Sequence, residues 1–191
     1  MPTGRLEAFS DGVLAILITI LVLELKVPHA SSLEALREIG PVFCGYVLSF
    51  IFVGIYWNNH HHMLHTVEVV SGGILWANLH LLFWLSLVPF TTAWMGENHR
   101  APWPTAAYGT VLFGAGVAYL ILQQAIVRKQ GPGSKLRQLI GRDLKGKLSA
   151  LFYALGIALS FVNTLPAQAI YAAVALMWLV PDPRIESKVG K

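Results

Sequence analysis

The sequence predicts an all-α, polytopic membrane protein, a single domain over residues 1–191 with six transmembrane helices per subunit, and three observations carry that prediction. Its residues are 55% hydrophobic against 13% charged, with a mean hydropathy of +0.58, too apolar for an ordinary water-soluble domain. The apolar residues gather into long runs close to the roughly 20 residues that a spanning helix needs. None of these runs alternates polar with apolar as the strands of a membrane barrel do, so helices are the expected spanning form.

The runs cover about residues 6–27, 39–57, 71–95, 106–127, 148–162 and 165–180, the fifth being short. Pro28 is expected to end the first helix and Pro41 to open the second. Pro89 lies inside the third and should kink it, because it lacks an N–H and crowds the preceding turn. Pro102 and Pro104 precede the fourth, Asn163-Thr-Leu-Pro166 makes a tight turn between the fifth and sixth, and Pro181 with Pro183 stop the sixth. The single cysteine, Cys44, rules out an intrachain disulfide. A signal peptide also reads as a basic residue, an aliphatic core and a polar break. Glu7 and Asp11 ahead of the core, and no small-x-small site by Pro28, argue against one.

Basic residues set the expected orientation. With a cytoplasmic N-terminus, eleven Lys and Arg face inward: Arg5, the seven from Arg128 to Lys147, and Arg184, Lys188 and Lys191. Only Lys26, Arg37 and Arg100 face outward, so both termini are expected in the cytoplasm and the chain in the cell inner (plasma) membrane, surrounded by lipid. Gly131-Pro-Gly133 lacks the Lys-Ser or Lys-Thr of a phosphate loop, and no nucleic-acid partner is expected.

The first helix is the one on which a function can be built. Asp11 and Glu24 stand about 20 Å apart along it, near the two edges of a hydrocarbon layer about 30 Å thick. Acids at that depth turn toward a bundle interior or a watery cavity. Between them Ile16, Ile20 and Leu23 share one stripe, flanked by Thr19, which suits either packing on neighbouring helices or a narrow bore that excludes water. Arg5 and Asp11 lie about 120° apart around a helix, so each is expected to find partners elsewhere. Ser10 and Asp11 also suit a helix cap.

The histidines His60, His61, His62 and His65 form the other polar cluster, with Glu68 after them. His61 and His65 share a helix face at metal-ligand spacing. The cluster as a whole reads as a structural polar group, with no metal centre assigned: its members cannot all face one ion, Glu68 is the nearby acid, and His29, His80 and His99 stand apart. With the second helix ending near Trp57, His60 and His61 fall at about the depth of Asp11, and Asn78 enters from the third helix. Their side chains are expected to satisfy one another there and pin the first helix.

Arg5-x-x-x-Phe9-Ser10-Asp11, Tyr56-Trp57 with His60-His61, then Asn78, Pro89-Phe90 and Glu97, resembles the bacterial branch of the transmembrane protein 175 potassium channels, over about half the chain. The resemblance implies a six-helix subunit, a homotetramer, leak-type potassium conduction and no cofactor beyond the permeant potassium ions. It also implies a pore lined by the first helix, with its constriction at Ile16 and further rings at Ile20 and Leu23. The sequence has no Thr-Val-Gly-Tyr-Gly filter, since Gly45-Tyr46 stands in a different context, and no arginine ladder for sensing voltage. It departs from the family at His62, where relatives often carry a basic residue.

Two other functions fit parts of the pattern. A proton-coupled or small-solute carrier would use Asp11 with His60 and His61 as a relay, though such carriers usually show internal repeats or broken helices at mid-membrane, and the first helix is unbroken. A metalloenzyme would need more ligands than one histidine cluster supplies, so no catalytic residues are expected.

Overall fold

The structure is a computed structural model that describes residues 3–67, 69–140 and 143–179. Glu68, Arg142, Pro181, Pro183, Arg184, Lys188, Lys191 and the last residue of the sixth run, Val180, lie outside the described residues. All regular structure among the described residues is helical.

Helix α1 spans Thr3–Leu23 and buries Leu6, Ser10, Leu14, Leu17 and Leu21, a stripe at helical spacing. It ends before Pro28, in a turn where the Leu25 N–H reaches the Val22 carbonyl. Lys26 leaves that turn to pair with Glu97, so a polar exit, rather than proline, stops the helix. A short helix absent from the sequence expectation, α2 (Leu33–Glu38), follows, with Ser32 Oγ accepting from the Ala35 N–H at 3.3 Å. Helix α3 runs Gly40–Leu64, past the expected end at Trp57 and through the histidines. Polar residues continue it because their side chains find partners, Asn59 Nδ2 donating back to the Ile55 carbonyl at 2.9 Å.

The third run is interrupted at Leu87. Helix α4 (Gly72–Ser86) and α5 (Val88–Glu97) meet there, two residues after Leu85, whose carbonyl Pro89 cannot bond. Helix α6 spans Pro102–Gln130 and takes both prolines into its first turn, where a missing N–H costs nothing, instead of following them. The basic connection holds a 3₁₀ turn at Gly131–Gly133 and a short helix, α7 (Lys135–Ile140). Helix α8 (Leu144–Ser160) begins earlier than expected because Asp143 caps it, accepting from the Gly146 N–H at 3.2 Å. Helix α9 (Thr164–Leu179) returns against α8, and Asn163 Oδ1 accepts the Leu165 N–H at the turn.

Among the described residues, four helical stretches are long and apolar enough to cross a membrane: Thr3–Leu23, Gly40–Leu64, Gly72–Glu97 and Pro102–Gln130. Helix α9 is apolar but has 16 residues, and α8 has 17, with Lys145 and Lys147 in its first turn.

Helix α6 is the central post. It packs against α4, α5, α8 and α9, while α1 leans on α3, α4 and α5. Two cores result. An aliphatic one joins α1, α3, α4 and α6 through Leu6, Leu14, Leu17, Leu21, Leu81 and Leu122. An aromatic one joins α3, α6, α8 and α9 through Phe52, Tyr108, Tyr153 and Tyr171. The Tyr171 ring lies where a side chain on Gly109 or Gly156 would stand: a Cβ added to Gly156 would meet it at 2.4 Å. Glycine at these two positions lets the ring enter between α6 and α8.

Candidate functional site

Helix α1 has two unlike faces, and the site follows from that difference. Its back face is held by a run of hydrogen bonds through Ser10, Asn78 and His60, all buried. Ser10 Oγ donates to the Leu6 carbonyl at 2.8 Å, one turn back on its own helix. Asn78 Nδ2 donates to Ser10 Oγ at 3.0 Å. Asn78 Oδ1 lies 2.7 Å from His60 Nε2 and, being a carbonyl oxygen, must accept. The His60 proton is thereby placed on Nε2. The last acceptor in the run is backbone, so three helices are joined, and among the described residues no buried side-chain nitrogen or oxygen is without a hydrogen-bond partner.

Asp11 stands apart from this run. Its carboxylate accepts from Trp57 Nε1 at 3.1 Å, on the exposed edge between α1 and α3. The expected meeting of aspartate, histidine and asparagine is therefore split: Ser10 takes the inward position and Asp11, one residue and about 100° further round, takes the outward one. Arg5 is exposed, with no ion pair among the described residues, and Phe9 is exposed too. His61 does not join Asn78. It stacks beside Trp57, with ring centroids 6.1 Å apart, and faces His65.

The front face of α1 is largely uncovered by the described residues. Ile16 is 58% exposed and Leu23 78% exposed, with Thr19 exposed and Ile20 half-buried between them. Thr19 Oγ1 turns back to the Ile16 carbonyl at 2.8 Å. Leu17, one residue on from Ile16, is 4% exposed and packed in the aliphatic core. At the far end of the helix Lys26 and Glu97 tie its exit to α5. Ile20, Glu24, Phe90 and Trp94 border an open hollow of about 440 Å³ beside that pair.

A second polar knot was not foreseen from the sequence. Ser49 Oγ lies 2.6 Å from Thr92 Oγ1 and 2.9 Å from the Tyr108 hydroxyl, joining α3, α5 and α6, and Thr92 also donates to the Val88 carbonyl. Single hydroxyls inside apolar runs, Ser49 and Thr92, were the available signal.

The family model described as "Endosomal/lysosomal potassium channel TMEM175" matches residues 5–89, which hold α1 to α4 and thus the whole Ser10–Asn78–His60 run. A potassium channel of Chryseobacterium sp. (strain P1-3) is 56% identical over 189 residues, covering 99% of this chain and 98% of that one. A potassium channel of Streptomyces collinus is 32% identical over 204 residues, covering 97% of each. The crystal structure of a lysosomal potassium-selective channel TMEM175 homolog from Chamaesiphon minutus matches with a TM-score of 0.82 at 26% identity, over 93% of this chain and 96% of that chain. The two relatives and the solved structure match nearly end to end, and the chain belongs to the TMEM175 family.

Proposed function

We propose that this chain is the subunit of a potassium-selective, leak-type cation channel, a homotetramer in the inner (plasma) membrane whose pore is lined by α1. Its relatives are named as channels and not as enzymes. The observation that carries the reading is the contrast on α1: a fully buried back face pinned by hydrogen bonds, and a front face of Ile16, Thr19, Ile20 and Leu23 largely uncovered by the described residues. One helix cannot enclose a bore, so several copies must bring these faces together around an axis. A ring of Ile16 side chains there repels water from the narrow passage, and ions cross when the ring widens enough to wet. Ile20 and Leu23 form further rings, with Thr19 beside them.

In this reading α8 and α9 also cross the bilayer, giving six spans with both termini cytoplasmic, the orientation that the distribution of basic residues favours. The carrier alternative loses ground on geometry. His60 bonds Asn78 and Asp11 bonds Trp57, with no hydrogen bond between Asp11 and either histidine among the described residues.

The test compares neighbouring residues in planar bilayers. Ile16→Asn should keep the bore wet, raise cation flux and weaken preference for potassium over sodium. Leu17→Asn should instead lower folded yield, since burying an unpaired amide costs about 1 to 3 kcal/mol. Unchanged conductance and reversal potential in Ile16→Asn, with altered permeation in Leu17→Asn, would mean that another face of α1 lines the pore.

A further inference from the structure

The last turn of α3 and the residue that caps it carry a pair of histidines that the proposed channel mechanism does not use. His65 is exposed and His61 half-buried, one helical turn apart, and the His65 N–H donates to the His61 carbonyl at 3.1 Å, so the backbone itself sets their spacing. Their Nε2 atoms are 3.1 Å apart, with the rings nearly perpendicular and their centroids 4.3 Å apart. The two nitrogens thus lean toward each other more closely than the rings that bear them.

That separation has a chemical meaning. Two imidazole nitrogens each bound at about 2.0 to 2.1 Å to one metal ion lie about 2.9 to 3.4 Å apart, for angles at the metal between square and tetrahedral. Without metal, one Nε2–H donates to the other ring's lone pair. For both to bind metal, the ring with its proton on Nε2 shifts it to Nδ1, and each Nε2 then offers a lone pair to the same point. Imidazole donors favour borderline divalent transition ions such as Zn²⁺, Ni²⁺ and Cu²⁺ over potassium or magnesium.

We propose that His61 and His65 chelate a divalent transition-metal ion at the end of α3, as a two-histidine site completed by water. No group of three or more His, Cys, Asp or Glu side chains converges among the described residues, so this is an open, exchangeable site and not a structural metal centre. Chelation fastens the final turn of α3. His61 stacks on Trp57, and Trp57 donates to Asp11, so the same ion stiffens the edge where α3 meets α1. The site is built from this pair alone and does not depend on the channel reading.

The experiment is calorimetric titration of Zn²⁺ into the full-length protein in detergent, carrying no polyhistidine tag. The wild type should bind about one Zn²⁺ per chain, and His65→Gln should weaken binding by about tenfold or more, since loss of a ligand costs at least what loss of a ligand's support does. His65 is exposed, so His65→Gln should unfold at the wild-type temperature without zinc. His62→Gln, which alters the neighbouring histidine outside the pair, should bind as the wild type does, and zinc should raise the unfolding temperature of both but not of His65→Gln. Equal affinities in wild type and His65→Gln, or a loss in His62→Gln as large as in His65→Gln, would overturn the assignment.

Discussion

The two cores of this chain are held by different means. Around α1, α3 and α4 the packing is aliphatic, and its geometry is set by Ser10, Asn78 and His60, whose hydrogen bonds need particular partners at particular depths. Around α6, α8 and α9 the packing is set by ring shape, with Tyr171 lying in the gaps at Gly109 and Gly156 and Tyr108 and Tyr153 close by. The family model's match, residues 5–89, takes in the pinned helices and stops short of α6. Polar side chains inside an apolar layer admit few substitutes, because losing one partner strands the other. Ring packing depends on volume, and many combinations of residues supply a given volume.

The comparison can be broken most sharply at Asn78. Asn78→Leu keeps the number and branching of side-chain heavy atoms and removes both the acceptor of His60 and the donor to Ser10, leaving the buried His60 N–H unpaired at about 1 to 3 kcal/mol. Thermal unfolding of the purified variant should show a clear loss of stability, with reduced folded yield. Wild-type stability in Asn78→Leu would mean that the hydrogen bonds do not set the geometry of the first core.

In the second core the sensitive change adds atoms. Gly156→Ala puts a methyl into the Tyr171 ring and should cost about 1 to 3 kcal/mol by overpacking. Tyr171→Leu vacates that space, so the double variant should lose less than the sum of the singles. Strict additivity in the thermal unfolding of the set would show that the ring and the glycine are not in competition for one volume.

The smallest effect belongs to the ion pair outside both cores. Glu97, by its hydrogen bond and its charge, holds the Lys26 ammonium above its ordinary value of 10.5. A raised folded value means that the pair's contribution is fully present below the ordinary lysine range and is lost as pH rises through the raised one. Both side chains are well exposed, so water and salt screen the pair. Lys26→Ala should unfold almost as the wild type does at neutral pH, with any difference vanishing in strong salt or strong alkali. A large, salt-independent difference at pH 7 would make the pair a structural clamp.

The sequence by itself determined the helical, membrane-type class, since long apolar runs with few charges leave helices as the means of satisfying backbone groups in lipid. It also marked Ser10, His60 and Asn78, because polar residues inside such runs need a reason to be there. It misplaced the ends of several helices: α1 stops at a polar exit before Pro28, α3 runs through the histidines, and α6 absorbs the prolines expected to precede it. Helix ends depend on which side chains find partners, and those partners come from distant parts of the chain. Tertiary structure alone decided that Ser10, and not Asp11, faces Asn78, and that Asp11 turns to Trp57. Adjacent residues on a helix differ by about 100°, and the direction that is buried depends on how neighbouring helices pack against it, which no local pattern contains. The same holds for His61 and His65. Their spacing was visible in the sequence, but the 3.1 Å between their nitrogens depends on side-chain torsions set within the folded chain.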